Sequence, residues 1–177
     1  MDLQQYIDPL LAFVHQHAAW APLLVAVLAF CESLAFVSLL FPASTALVAI
    51  GALIGAGALS FVPIWIAAAV GAALGDWLSY WLGQTFEAPI SRMWPLSRHP
   101  DLLPRGHAFI AKYGIAAIFI GRFFGPLRAA VPLVAGILEM AWWPFQIANV
   151  ASAFIWAAVL LGPGAFGYDF VTRWLSI

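Results

Sequence analysis

The sequence predicts an all-α polytopic membrane protein, and three observations point to that fold class. Of its 177 residues 64% are hydrophobic and only 8% are charged, against roughly 25% charged in soluble domains; the mean hydropathy is +0.97. Between Glu32 and Asp76 there is no Asp, Glu, Lys or Arg at all. Prolines and glycines also fall inside the apolar runs, where they break or pack helices rather than mark exposed loops.

The elements follow in order within one membrane domain, residues 1–177. Residues 1–19 hold Asp2, Asp8, His15 and His17 among apolar residues, which suits an interfacial helix better than a span. Residues 20–83 form a first block. In it Phe41-Pro42-Ala43-Ser44-Thr45 interrupts an apolar run, and such a break in hydrocarbon survives only when buried in protein or lining a wet cavity. The expectation is a re-entrant, broken hairpin bending near Val37 to Thr45, then a spanning helix from Pro63 to Gly83. Residues 84–112 carry Arg92, Arg98, Arg105 and Lys112, four of the seven cations, and by the positive-inside rule are cytoplasmic.

Residues 113–162 form a second block. Gly121-Arg-Phe-Phe-Gly-Pro-Leu-Arg-Ala-Ala-Val-Pro132 lies in its middle, predicting two half-helices with hairpin bends at Gly125, Pro126 and Pro132, then a span from Trp142 to Leu161. Residues 163–177 read as a C-terminal interfacial segment. The two blocks share an order of features. Each has an apolar entry, one charge (Glu32 or Arg122), a proline ten residues on (Pro42 or Pro132), a glycine, and a helix opened by proline (Pro63 or Pro144). That order predicts a duplicated, inverted repeat of the kind transporters use.

Few polar residues remain to carry chemistry. Glu32 lies deep in an apolar run, so it is either a protonatable group lining a cavity or half of an ion pair with an arginine of the second block. Arg122 and Arg128 flank Gly125-Pro126; a turn there would bring both guanidinia to one point, where their donor forks match a phosphate. The alternative is snorkelling to the headgroups. Asp76 either pairs with a cation of the connecting segment or faces substrate. Ser44 and Thr45 offer hydroxyls at the first bend. Asn149 is an amide within a span, suited to bonding across helices; Tyr80 is a second supporting polar group, and Glu139 reads as an interface residue.

Several function classes are excluded. A net charge of −1 gives nucleic acid no basic face to bind. Cys31 is the only cysteine, so neither a disulfide framework nor a thiolate metal cluster forms, and the histidines lack zinc-ligand spacing. No GxSxG, P-loop or HExxH occurs, so neither an enzyme nor a cofactor is expected. No basic region precedes the first apolar stretch, and the hydrophobic segments are therefore expected to belong to the mature protein.

The chain resembles a known family. Glu32-Ser33, Gly75-Asp76 with Tyr80 and Gly83, Lys112-Tyr113-Gly114, the run from Gly121-Arg122-Phe123 through Pro126, Arg128, Pro132 and Ala135-Gly136 to Met140, and then Phe145, Asn149 and Trp156 look like the DedA family, also called the SNARE-associated Golgi or VTT-domain group. The resemblance covers roughly Trp20 to Gly167. It implies two re-entrant hairpins pointing at each other in the bacterial inner membrane and a transporter of lipid phosphates. The foremost substrate is undecaprenyl phosphate, a polyprenyl phosphate returned to the cytoplasmic leaflet with dependence on the proton motive force. It further implies that Glu32 is the first-hairpin acid and that Arg122 and Arg128 are arginines required for function. One departure stands out: many members carry Pro-Gly followed by an acid in the first hairpin, whereas here Ser44 takes that place. Proton coupling would then rest on Glu32 competing with substrate for both guanidinia. The alternatives are a general phospholipid scramblase, a small-ion or drug/proton antiporter, and a non-transport scaffold. Membrane lipids and protons are the expected partners, and a homodimer is compatible with the sequence.

Overall fold

The computed structural model describes residues 16–34, 44–86 and 102–175. These fold into seven helices: α1 (Ala21–Ser33), α2 (Ser44–Gly55), α3 (Phe61–Thr85), α4 (Leu102–Tyr113), α5 (Ala116–Gly121), α6 (Gly125–Ile137) and α7 (Trp142–Leu175). Two of them, α3 and residues Trp142–Gly167 of α7, are long and apolar enough to cross a membrane. At 1.5 Å per residue the 13 residues of α1 and of α6 reach only about 20 Å, short of the ~30 Å hydrocarbon layer.

Local sequence sets the ends. Pro22 sits in the first turn of α1, and Leu34 turns extended (ψ 131°) while its N–H caps the Phe30 and Cys31 carbonyls. Helix α2 closes on Gly57 at φ +78°; Gly57 N–H bonds the Ile54 carbonyl at 2.9 Å and Ala58 N–H that of Leu53 at 3.0 Å, a left-handed cap that glycine adopts without penalty. The same pair of bonds ends α6, from Glu139 to Gly136 and from Met140 to Ala135, both at 3.0 Å. There the left-handed position is filled by Glu139 at φ +50°.

α3 and α7 form the central antiparallel seam. Its contacts run in opposite directions along the two helices: Phe61 meets Phe166, Trp65 Nε1 donates to the Phe154 carbonyl at 2.8 Å, and Tyr80 stacks on Phe145 at 4.1 Å. α1 and α6 pack on α3, α2 packs on α7, and α4 and α5 flank α6. α1 lies so close that a Cβ on Gly75 would stand 2.6 Å from the Phe30 carbonyl oxygen. Two turns further along α3, Gly83 meets the Leu133 carbonyl and Gly136 of α6 meets the Tyr80 carbonyl, close approaches of the small-residue kind.

Two apolar cores result. One gathers Ala29, Leu47, Ile64, Ala68, Trp156 and Leu161; the other gathers Tyr80, Ile118, Val131, Val134 and Phe145. Buried polar residues lie between them on both spanning-length helices: Asp76 and Ser79 on α3, Asn149 and Ser152 on α7. Outside, Leu24, Val62, Trp143, Ile147 and Phe166 are among many exposed large hydrophobics, a surface suited to lipid rather than water.

The structure departs from the sequence expectations in places. The second-block break falls at Arg122–Phe124, ahead of Gly125 and Pro126, which open α6. Proline is accommodated there because a first-turn N–H has no intrahelical partner to lose. Pro132 is not the turn of a hairpin: it lies inside α6, where it withdraws the N–H that would pair with the Arg128 carbonyl and its ring crowds that carbonyl. α7 does not stop at Leu161 but continues through Pro163 to Leu175, and Ala165 is buried within the bundle. α3 begins at Phe61, with Pro63 in its first turn. Pro42, most of the first bend, nearly all of the N-terminal segment and residues 87–101 of the basic connection lie outside the described residues.

Candidate functional site: a buried layer of paired acids and arginines

Four charged side chains meet between the two cores. Arg122 closes α5, with its side chain 2% exposed. Its Nη2 lies 2.5 Å from Asp76 Oδ2 and 2.6 Å from Asn149 Oδ1, with the Asn149 carbonyl at 3.3 Å. Asn149 in turn donates through Nδ2 to the Ala73 carbonyl at 2.9 Å and to Gln146 Oε1 at 3.3 Å, and Ser152 Oγ donates to the Asn149 carbonyl at 3.0 Å. One amide thus ties α3, α7 and the end of α5 together.

The second pair joins the tips of the short helices. Arg128, in the first turn of α6, donates Nη1 to Glu32 Oε1 at 2.7 Å and Nη2 to Ser33 Oγ at 3.3 Å, both in the last turn of α1. Ser44, the first residue of α2, donates its hydroxyl to the same Glu32 oxygen. The Arg128 guanidinium also lies 4.6 Å over the Trp156 ring, a cation–π contact strengthened by exclusion of water.

The layer is charge-balanced yet not saturated. Among the described residues Glu32 Oε2, Arg122 Nε and Arg122 Nη1 are buried without a hydrogen-bond partner. A buried guanidinium holding two idle donor nitrogens is costly unless something accepts from them. The layer can therefore offer N–H donors to an anion and, at Glu32, a free oxygen to a proton or a donor. No group of acid, histidine or cysteine side chains able to hold a metal occurs among the described residues.

The sequence-predicted residues are brought together, but not in the expected arrangement. Arg122 and Arg128 do not share one point with Glu32 between them; the break at Arg122–Phe124 puts them on different elements, and each takes its own acid. Among the described residues Asp76 pairs with Arg122, at the end of α5. It thereby supplies a second buried carboxylate, the group that Ser44 does not provide. Thr45 follows Ser44 and is exposed. Tyr80 stands apart from the ion pairs, its hydroxyl donating to the Met140 carbonyl at 2.5 Å and accepting from Gln84 Nε2 at 2.8 Å. Sequence reasoning assigned no role to Ser33, Gln146 or Ser152. The first stands next to Glu32, and the others lie three residues either side of Asn149 on the same helix, a spacing that places them near its face.

Fold and site together define a class: an all-helical membrane protein that buries paired acids and arginines between two apolar cores. The VTT domain matches residues 41–166, and the chain belongs to that family, the DedA proteins. It is 36% identical over 152 residues to the inner membrane protein YabI of Escherichia coli (strain K12), covering 86% of this chain and 60% of that protein. Over 155 residues it is 35% identical to the uncharacterized membrane protein BU139 of Buchnera aphidicola subsp. Acyrthosiphon pisum, covering 88% of this chain and 60% of that protein. Identity to the inner membrane protein YqjA of Escherichia coli (strain K12) is 30% over 138 residues, 76% of this chain and 61% of the relative. The chain thus spans about three fifths of the length of these curated relatives. No solved structure matches it.

Proposed function

We propose that this protein carries a lipid phosphate across a bacterial inner membrane without chemical change, with undecaprenyl phosphate moving to the cytoplasmic leaflet as the specific substrate. The observation that carries the reading is Arg122: a fully buried guanidinium, held from one side by Asp76 and Asn149, with Nε and Nη1 unpartnered among the described residues. A phosphate is the ligand whose oxygens accept such donors best. The pairs α1/α2 and α5/α6 act as re-entrant hairpins entering from opposite faces, as an inverted repeat requires. Their lengths support this, being too short to span, and so does the tip-to-tip bond from Arg128 to Glu32. The chain crosses the membrane several times, and residues 84–112 face the cytoplasm.

Coupling to protons then has two acids to draw on. Protonation of Glu32 releases Arg128 for the phosphate, and Asp76 stands in the same relation to Arg122. The test is reconstitution into proteoliposomes with labelled undecaprenyl phosphate in the outer leaflet and an imposed pH gradient. Inward movement that rises with the gradient and is lost in Arg122→Gln supports the reading. Equal movement of phosphatidylglycerol would identify a general scramblase instead, and movement of neither lipid would rule out lipid transport.

A further inference from the structure

A groove of about 370 Å³ runs along the outer seam of α3 and α7. Ala73 and Gln146 line it together with Val70, Trp77, Val150 and Phe154, and Val70, Trp77 and Val150 are more than 40% exposed. The groove is apolar with one exception, Gln146. Its Oε1 accepts from Asn149 Nδ2, while among the described residues its Nε2 makes no hydrogen bond. The neighbouring Ala73 carbonyl accepts from the same Asn149 nitrogen. Both polar contacts behind the groove therefore end on the residue that holds Arg122.

We infer that this groove seats the hydrocarbon chain of the phosphate lipid, with the Gln146 amide nitrogen as the donor where the chain gives way to the headgroup. The inference rests on the transport reading above and adds the site of the chain. Three features favour this occupant over passing bilayer lipid. At about 370 Å³ the groove has room for a segment of hydrocarbon chain and not for a whole lipid. A donor within an apolar groove selects a lipid that brings an acceptor to that point. The groove is also backed by Asn149, which bonds Gln146 and Ala73 on its lining and Arg122 behind it, so a chain lying in it is one side chain away from the arginine layer.

The test uses the full chain in proteoliposomes of phosphatidylethanolamine and phosphatidylglycerol, doped at about 1 mol% with radiolabelled undecaprenyl phosphate. A photoreactive benzoylphenylalanine replaces Val150 in the groove or, as the control, Ile155, which is exposed on α7 outside the groove. The expected result is five- to tenfold more labelled phosphate lipid captured at position 150 than at 155, with that excess at least halved by Gln146→Leu. Equal capture at both positions, with or without transport, means that ordinary boundary lipid fills the groove and overturns the inference. Capture enriched at position 150 in a protein that moves no lipid upholds the groove and overturns the transport reading. Transport without enrichment does the reverse. Ala73→Phe, which fills the groove, gives a second measure. Uptake of undecaprenyl phosphate should fall about tenfold at unchanged folded yield, and full uptake in that variant would also overturn the inference.

Discussion

Ser44 and Arg128 donate to one and the same oxygen, Oε1 of Glu32. The hydroxyl at the first residue of α2 is therefore a working member of the ion pair rather than a neutral filler. Ser44→Ala should cost about 1.5–3 kcal/mol, the range for a hydrogen bond to a charged group, measured as a lowered unfolding temperature in detergent. Ser44→Asp would set two carboxyl groups against a single cation, and they would share a proton. That variant should be close to wild type at pH 5 and lose stability as the pH rises and the proton leaves. A stability profile parallel to wild type across pH 5 to 8 would show that the two groups do not face each other.

The Asp76–Arg122 pair gives a second expectation. Arg122→Gln strands a buried carboxylate and should cost about 3–5 kcal/mol. Asp76→Asn in the same protein should recover a large part of that loss, because neither partner then carries a charge. The double-mutant cycle, read by thermal unfolding, measures the coupling directly. Additive losses would mean the pair contributes no interaction of its own.

Charge alone should not suffice at either arginine. A single Arg122 nitrogen already serves both Asp76 and Asn149, leaving the rest of the fork for an incoming ligand. Lysine provides only a compact point charge, so Arg122→Lys and Arg128→Lys should each keep folded protein yet lose tenfold or more of lipid-phosphate uptake. Uptake at wild-type rates in both would reduce the arginines to anchors.

Glu32→Gln tests the coupling. The amide keeps an oxygen to accept from Arg128 and Ser44 but cannot take up or release a proton. Transport in this variant should lose its dependence on the pH gradient while some gradient-independent movement remains. An unchanged response to the gradient would move the coupling role to Asp76.

A stabilising change is also expected. Glu139 holds the left-handed position that ends α6, and that conformation costs a residue with a Cβ roughly 1–2 kcal/mol. The turn is fixed from outside, since the next residue, Met140, offers its carbonyl to Tyr80. Glu139→Gly should raise the unfolding temperature by a few degrees, with Tyr80 keeping its bond.

Much of this was legible in the residue order. Runs without charge announced a lipid-facing chain, and isolated Glu32, Arg122, Arg128 and Asn149 within them marked the polar layer. That Glu32 pairs with an arginine of the second block was one of the two readings the sequence allowed, but the individual partners were not legible. Arg122 meets Asp76 across 46 residues and Arg128 meets Glu32 across 96, and nothing in local spacing says which cation finds which acid. The position of the second break was also hidden. Gly125 and Pro126 mark a break equally well as its last residues or as the first of the next helix, and only packing against α3 decides. Gln146 escaped notice because a lone amide close to Trp142 and Trp143 resembles an ordinary interfacial residue.

The polar layer has one more consequence, for how the chain finds its register. Between helices in lipid, apolar faces are nearly interchangeable, since a leucine gains little by leaving acyl chains for another leucine. Sliding α7 along α3 by one turn would move Asn149 about 5.4 Å, away from the Ala73 carbonyl and from Arg122, and would leave the buried amide without those partners. Only one alignment satisfies all of these groups at once. The residues proposed to handle the substrate are thus also the pins that align the seam. A variant that removes one of these pins changes assembly together with transport, so activity in this layer is read beside folded yield.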